Sequence, residues 1–178
     1  MRIGSRDFAT TGHTYIMGIL NVTPDSFSDG GKFNQIDAAL KHAEEMIGDG
    51  ADVIDIGGES TRPGYTKISD EEEIDRVVPV IEAVKKEFGI PISVDTYKSG
   101  VAEAAAQAGA DLINDIWGLK YDPHMSEVIA KSGLACCLMH NRDNAEYRNF
   151  MEDMKQDLRE TIALAKAAKI ADDKIILD

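Results

Sequence analysis

The stretch that decides the fold is residues 48–57, "GDGADVIDIG". Glycine ends a segment of helical periodicity here, and a short apolar run begins within a few residues. The phrases "QAGAD" and "KSGLA" repeat this arrangement further along the chain. Nearly continuous apolar runs are typical of strands covered on both faces. The pattern therefore predicts an α/β protein in which parallel strands are joined by right-handed helical crossovers.

Outward from this stretch, six predicted strands alternate with five predicted helices. The strands are predicted at 15–20, 52–57, 91–95, 111–116, 134–140 and 174–178. The helices are predicted at 35–48, 71–88, 98–108, 124–132 and 147–168. Because no linker or low-complexity segment divides the chain, residues 1–178 are predicted to form a single domain.

Composition excludes several classes of partner. The 178 residues carry a formal net charge of −13, and the pI is near 4.7, so neither a nucleic acid nor an anionic membrane is expected as the main partner. No run approaches the roughly 18 apolar residues that a membrane span requires. Cys136 and Cys137 are adjacent, which fits neither a disulfide framework nor spaced zinc ligands, and we expect both in the core. These features favour a cytoplasmic protein.

Polar residues follow the carboxyl end of nearly every predicted strand. They are Asn21, the segment 59–62, Asp95, Asn114, His140 with Asn141, and Asp178. A site assembled from so many strand ends is typical of a barrel mouth, whereas an open doubly wound sheet concentrates its ligand at one switch point. The glycine-rich signatures of dinucleotide-binding and nucleotide-hydrolysing sheets are both missing from the sequence. We therefore expect a (β/α)8 TIM barrel. Since such barrels usually need about 250 residues, the expectation is a barrel truncated after its sixth strand.

Five segments carry a specific family resemblance. They read, in order, "MGILNVTPDSFSDGG", "DIGGESTRPG", "PISVDTYKSGVAEAA", "GADLINDIWG" and "LMHN". In order and spacing they resemble the motifs of the dihydropteroate synthase family, across essentially the whole chain. The resemblance implies a (β/α)8 barrel that condenses 6-hydroxymethyl-7,8-dihydropterin diphosphate with 4-aminobenzoate in folate synthesis, releasing 7,8-dihydropteroate and diphosphate. It also implies a Mg²⁺ cofactor, inhibition by sulfonamides and a homodimer when the protein is full length.

The resemblance assigns pterin binding to Asp95, Asn114 and Asp178. A carboxylate can accept two parallel N–H donors of the pterin edge, and an amide complements a mixed donor and acceptor edge. Ile116 and Met139 are apolar neighbours placed to sandwich the ring. Taken alone, Asp95 could instead cap the helix that follows it, and Asn114 could be a residue of a strand-end turn.

The remaining assignments concern the diphosphate and two loops. Asn21 is expected to contact Mg²⁺ and the diphosphate, although a lone Asn before a turn is often structural. The family pattern places Phe27 and Pro63 against the benzoate ring, and Ser28 and Thr61 in the substrate site. It assigns catalytic roles to Asn21, Asp29 and Asp95. Arg62 is expected to support the loop of residues 60–64 when that loop is closed. Arg62 could also be an ordinary solvated cation. Residues 25–31 are expected to order over the mouth only when the pterin is bound.

Two alternatives remain open at this point. One is a pterin-dependent methyltransferase acting on methyltetrahydrofolate, which the intact "NVTPDSFSDGG" and "ESTRPG" loops disfavour. The other is a non-catalytic pterin-binding fragment. In the family, a Lys, an Arg and a His follow the residue that matches Asp178, so the chain as given is expected to be inactive by itself.

Overall fold

The computed structural model of the protein describes residues 1–23, 32–60 and 66–178, and of residues 32–34 it describes the backbone alone. The strands are β1 (Arg2–Ile3), β2 (Arg6–Asp7), β3 (Met17–Asn21), β4 (Val53–Gly57), β5 (Ile92–Asp95), β6 (Leu112–Asp115), β7 (Ala135–Leu138) and β8 (Ile175–Leu177). The helices are α1 (Lys32–Gly48), α2 (Asp70–Phe88), α3 (Ser99–Ala108), α4 (Met125–Ser132) and α5 (Phe150–Ala167). A short 3₁₀ helix, Asp172–Lys174, leads into β8.

The six longer strands form one parallel sheet whose spatial order is the order of the sequence, β3 to β8. Each strand pairs only with its predecessor and its successor, so the sheet winds in one direction. A doubly wound sheet would instead reverse its order at a switch point. This topology is that of a barrel wall, with β3 and β8 at the two edges of the described sheet.

The main apolar core lies between the sheet and its helices. Leu20, Ile54 and Ile56 are fully buried on the strands, and Val77 and Ile81 of α2 pack in the same cluster. Side chains alternate along a strand, so the residues between these apolar ones face the opposite side, away from the helices. That opposite face carries the candidate site at its carboxyl end.

The helix boundaries follow local signals. Ser69 caps α2 by accepting a hydrogen bond from the Glu72 N–H at 3.2 Å, and Gly89 ends the helix in the left-handed conformation, at φ 61°. Asn149 caps α5, so that helix begins at Phe150 and not at the predicted residue 147. The α1 helix begins three positions earlier than predicted, at Lys32.

The sequence analysis did not predict the hairpin β1–β2. Its strands have two residues each, which is too short for any periodicity to show. Ile3 and Phe8 of this segment are buried against Leu112 and Ala135. The hairpin therefore covers the amino-terminal end of the sheet's inner face, opposite the polar strand ends. In the described part of the chain, no helix has both the length and the apolar character needed to span a membrane.

Candidate active site

One row of residues crosses the carboxyl ends of four neighbouring strands. Asn21 pairs with Gly57, Gly57 with Asp95, and Asp95 with Asn114. Residues paired at one level of a parallel sheet point to the same face, so three polar side chains share this row. Gly57 leaves a gap among them: a Cβ at this position would lie 3.4 Å from Asn21 Oδ1 and 3.5 Å from Asp95 Oδ2. The row can therefore admit a ligand atom between an amide and a carboxylate.

Asp95 is the last residue of β5. Its Oδ1 atom is buried and has no hydrogen-bond partner among the described residues. Burial, reinforced by the nearby carboxylate of Asp55, raises the pKa of Asp95 to about 7. The alternative that Asp95 caps the next helix is wrong, because the N-cap position of α3 is Lys98. An unpaired buried carboxylate of this kind is a typical feature of a binding site.

Asn114 lies within β6 and is not a residue of a turn. Its Nδ2 donates a hydrogen bond of 3.0 Å to Oδ2 of Asp55, in the middle of β4. Asp55 is 5% exposed, and burial raises its pKa. Asp55 was not among the predicted site residues. The available signal was a carboxylate inside the otherwise apolar run "VIDIG".

Asp178, Ile116 and Met139 lie beyond the row, further toward the mouth. The Asp178 backbone pairs with β7, since its N–H donates to Leu138 O at 3.1 Å, and its side chain is exposed. Cys137 of β7 pairs with Ile176 of β8, and Asp178 lies two positions beyond Ile176. Asp178 therefore lies on the same face of the sheet as Cys137. Ile116 and Met139 are each half-buried.

The sequence analysis missed a buried ion network beyond the carboxyl end of β4. Lys98 Nζ lies 2.9 Å from Glu59 Oε2 and 2.7 Å from Glu73 Oε2. Glu59 also accepts a hydrogen bond from the Tyr97 hydroxyl and one of 2.8 Å from the Ile68 N–H. Burial raises the pKa of Glu73, whereas at Glu59 these hydrogen bonds outweigh burial and lower the pKa. The network fixes the end of β4 to α2 and to the start of α3.

Several predicted site residues lie outside the described residues. They are Phe27, Ser28, Asp29, Thr61, Arg62 and Pro63, together with the expected ordering of residues 25–31. Their assigned roles stay predictions. The described residues thus bring together Asn21, Asp95 and Asn114, with Asp178, Ile116 and Met139 around them.

The donor set suits a hard cation better than zinc. The described residues contain no group of three or more His, Cys, Asp or Glu side chains able to hold a metal ion. Asn21 supplies an amide oxygen beside the Gly57 gap. Mg²⁺ is commonly held by one or two protein oxygens together with phosphate oxygens. The residues present therefore fit Mg²⁺ on condition that a phosphorylated ligand supplies the other oxygens.

Comparison with known proteins identifies the family. The family described as "pterin binding enzyme" matches residues 17–178. A curated dihydropteroate synthase from Clostridium beijerinckii is 64% identical over 178 residues, which is 100% of this chain and 66% of the relative. The Bacillus subtilis dihydropteroate synthase is 57% identical over 165 residues, covering 93% of this chain and 58% of the relative. The chain thus spans from 58% to 66% of the length of these curated relatives.

Comparison with solved structures leads to the same family. A Clostridium difficile dihydropteroate synthase crystallised with pteroic acid has a TM-score of 0.91 and 49% identity, covering 100% of this chain and 65% of that one. A Xanthomonas albilineans dihydropteroate synthase with 4-aminobenzoic acid has a TM-score of 0.86 and 42% identity, covering 92% and 60%. The predicted fold class and the resemblance to dihydropteroate synthases are therefore confirmed. The chain belongs to the pterin-binding enzyme family.

Proposed function

We propose that this protein is a dihydropteroate synthase, which joins 6-hydroxymethyl-7,8-dihydropterin diphosphate to 4-aminobenzoate in folate biosynthesis. The observation that carries the proposal is the Asp95 carboxylate, buried and unpartnered at Oδ1 among the described residues. It lies in one row with Asn21 and Asn114. The relatives named dihydropteroate synthase, and the structures solved with pteroic acid and 4-aminobenzoic acid, support the same substrates.

The residues of the row would bind and orient the pterin. An ionised Asp95 accepts two parallel N–H donors, and Asn114 offers both an acceptor and a donor. Ile116 and Met139 cover the ring, and Asp178 adds a second carboxylate at the mouth. Orientation matters because the reacting CH2 group must lie in line between the leaving diphosphate and the incoming amine.

The reaction needs no nucleophile from the protein. The C–O bond to diphosphate breaks, and its electron pair leaves with the diphosphate. The electron-rich dihydropterin ring stabilises the cationic character that develops at the CH2 carbon. The lone pair of the 4-aminobenzoate nitrogen then forms the new C–N bond, and the nitrogen gives up one proton to the released diphosphate or to water. In the proposal, Asp29 helps to stabilise the developing charge, and Phe27, Ser28, Thr61, Arg62 and Pro63 complete the two substrate pockets.

Asn21 would hold Mg²⁺ together with oxygens of the diphosphate. When bound, the cation would supply charge neutralisation to the leaving group. Homodimeric assembly of the full-length protein, which rests on the family resemblance, and a cytoplasmic location, which rests on the composition of the chain, also belong to the proposal.

Calorimetry with the pterin diphosphate tests the proposal. We expect binding that strengthens when Mg²⁺ replaces EDTA, and binding of 4-aminobenzoate only after the pterin. Asp95→Asn should weaken pterin affinity at pH 8 by about tenfold or more, because Asn replaces one of the two carboxylate acceptor atoms with an NH2 donor. The control is Asp49→Asn, the same chemical change at an exposed position.

Two results would contradict the proposal. One is an Asp95→Asn variant with wild-type affinity for the pterin diphosphate. The other is binding of methyltetrahydrofolate in clear preference to the pterin diphosphate, which would favour the methyltransferase alternative.

A further inference from the structure

Asp55 is a buried carboxylate that the proposed mechanism does not use. It lies two positions before Gly57 on β4, one level deeper in the sheet than the row at the mouth. It is 5% exposed, and its Oδ1, like that of Asp95, has no hydrogen-bond partner among the described residues. Its Oδ2 accepts the Asn114 Nδ2 hydrogen bond of 3.0 Å. Among the described residues, this is the one side-chain hydrogen bond that Asn114 makes.

The chemistry of the pair fixes the orientation of the Asn114 amide. The Asn114 Nδ2 donates to the Asp55 carboxylate, so the nitrogen side of the amide faces Asp55 and the oxygen side faces away. One N–H of Asn114 is consumed by this bond. The Oδ1 acceptor and the second N–H remain for a ligand. If the amide turned by 180°, two acceptors would meet at Asp55, and the donor and acceptor offered to the ligand would exchange places.

We propose that Asp55 is a positioning residue for ligand recognition: it holds the Asn114 amide in one orientation, so that Oδ1 and one N–H meet the pterin edge in a fixed order. The proposal rests on the function proposed above. The buried position of Asp55 supports it, since an unpaired polar group in an apolar strand costs stability, and the Asn114 amide offsets part of that cost. Because Asp55 orients the amide before the ligand binds, binding does not carry the entropic cost of ordering the Asn114 side chain.

Two substitutions separate the hydrogen bond from the charge. Asp55→Leu removes the acceptor, and we expect about tenfold weaker binding of 6-hydroxymethyl-7,8-dihydropterin diphosphate by calorimetry. Asp55→Asn keeps an acceptor oxygen at the same place and should restore affinity to within about threefold of wild type. Asp49→Asn again serves as the exposed control. Equal losses in the Leu and Asn variants would overturn the proposal, because the charge and not the hydrogen bond would then matter.

A double-mutant cycle tests whether Asp55 acts through Asn114. In an Asn114→Ala background, Asp55→Leu should change affinity by less than about twofold, because no amide remains to be oriented. If the double variant loses as much affinity as the two single variants together, Asp55 does not act through Asn114, and the proposal is overturned.

Solution NMR of the ligand-free wild type tests the orientation of the Asn114 amide without any substitution. This measurement replaces the binding test if Asp55→Leu does not fold. We expect one Nδ2 proton of Asn114 to be protected from exchange and the other to exchange readily. Equal exchange of both protons would overturn the proposal. If the wild type shows this protection but binds no pterin diphosphate, the proposed function fails while the assigned orientation stands.

Discussion

Gly57 and its neighbour Gly58 play different roles at the end of β4. A Cβ at Gly57 would make ordinary contacts of 3.4 and 3.5 Å with Asn21 and Asp95 in the candidate site. A Cβ at Gly58 would lie 2.8 Å from Cγ1 of Val77 in α2, which is too close. One glycine thus keeps space for a ligand, and the other allows a helix to pack on the strand.

This difference predicts opposite effects of two alanine substitutions. Gly57→Ala should leave the free energy of unfolding unchanged or raise it by up to about 1 kcal/mol, but weaken binding of the pterin diphosphate. Gly58→Ala should lower the free energy of unfolding by about 1–3 kcal/mol through overpacking. Urea unfolding and calorimetry measure the two quantities. A Gly57→Ala variant with full affinity would show that the gap does not receive the ligand.

Asp95 links stability to pH. Its pKa is about 7 in the folded protein, against 3.8 for an unperturbed carboxyl. Between these values the folded state holds a proton that the unfolded state has released. The contribution of Asp95 to the free energy of unfolding therefore falls as pH rises from about 4 to about 7, and stays low above that. In urea unfolding at pH 8, Asp95→Asn should be more stable than wild type by up to about 4 kcal/mol, and the difference should vanish near pH 4.

Ionisation of Asp95 should strengthen pterin binding, although it lowers the free energy of unfolding. The ionised form accepts two N–H donors, so pterin affinity should weaken by up to about tenfold for each pH unit below 7. Calorimetry between pH 5 and pH 8 measures this slope. A pH-independent affinity in the wild type would show that Asp95 does not accept hydrogen bonds from the ligand.

At the scale of elements, Lys98 connects β4, α2 and α3. It lies immediately before α3, and it binds Glu59 beyond β4 and Glu73 within α2. Its Nζ also donates to Ile68 O at 2.8 Å. The ends of the segment between Glu59 and Ile68 are thus both attached to one buried cation.

Removing this cation should strongly destabilise the protein. Lys98→Met leaves two buried carboxylates without their counter-ion, and we expect the free energy of unfolding at pH 7 to fall by about 3–5 kcal/mol. The loss should be smaller at pH 5, where the carboxylates can take up protons. Urea unfolding measures both values, with Lys86→Met on the exposed face of α2 as the control. A loss below about 1 kcal/mol at pH 7 would contradict the network's stabilising role.

The sequence predicted the elements of the sheet well, because β4, β5, β6 and β7 are short apolar runs that each follow a glycine near the end of a helix. Asn21, Asp95 and Asn114 were also predicted, since polar residues at strand ends are visible in the sequence. Asp55 was missed because a single carboxylate within a strand does not reveal which side chain it meets 59 positions away. The same holds for Lys98, whose partners Glu59 and Glu73 come together only through packing.

For the whole molecule, the sheet presents an exposed inner face along β3. Ile19 is 64% exposed and Met17 is 37% exposed, although both belong to an apolar strand. An exposed apolar edge strand favours self-association. Ile19→Lys should therefore reduce light scattering by concentrated solutions of this chain without lowering its free energy of unfolding by more than about 1 kcal/mol. Ile54→Lys, at a fully buried position, should unfold the protein, and unchanged scattering by Ile19→Lys would show that β3 is not the associating surface.

The β1–β2 hairpin also has a consequence for biosynthesis. Ile3 and Phe8 pack against Leu112, Ala135 and Ile176, all more than 100 positions later in the chain. Lys174, 172 positions after Arg2, donates to the Arg2 carbonyl at 3.5 Å. At translation rates of about 5–20 residues per second, Ile3 and Phe8 wait from about 5 s to about 30 s for these partners. The two side chains therefore stay unburied in the nascent chain until strands more than 100 positions later have been synthesised.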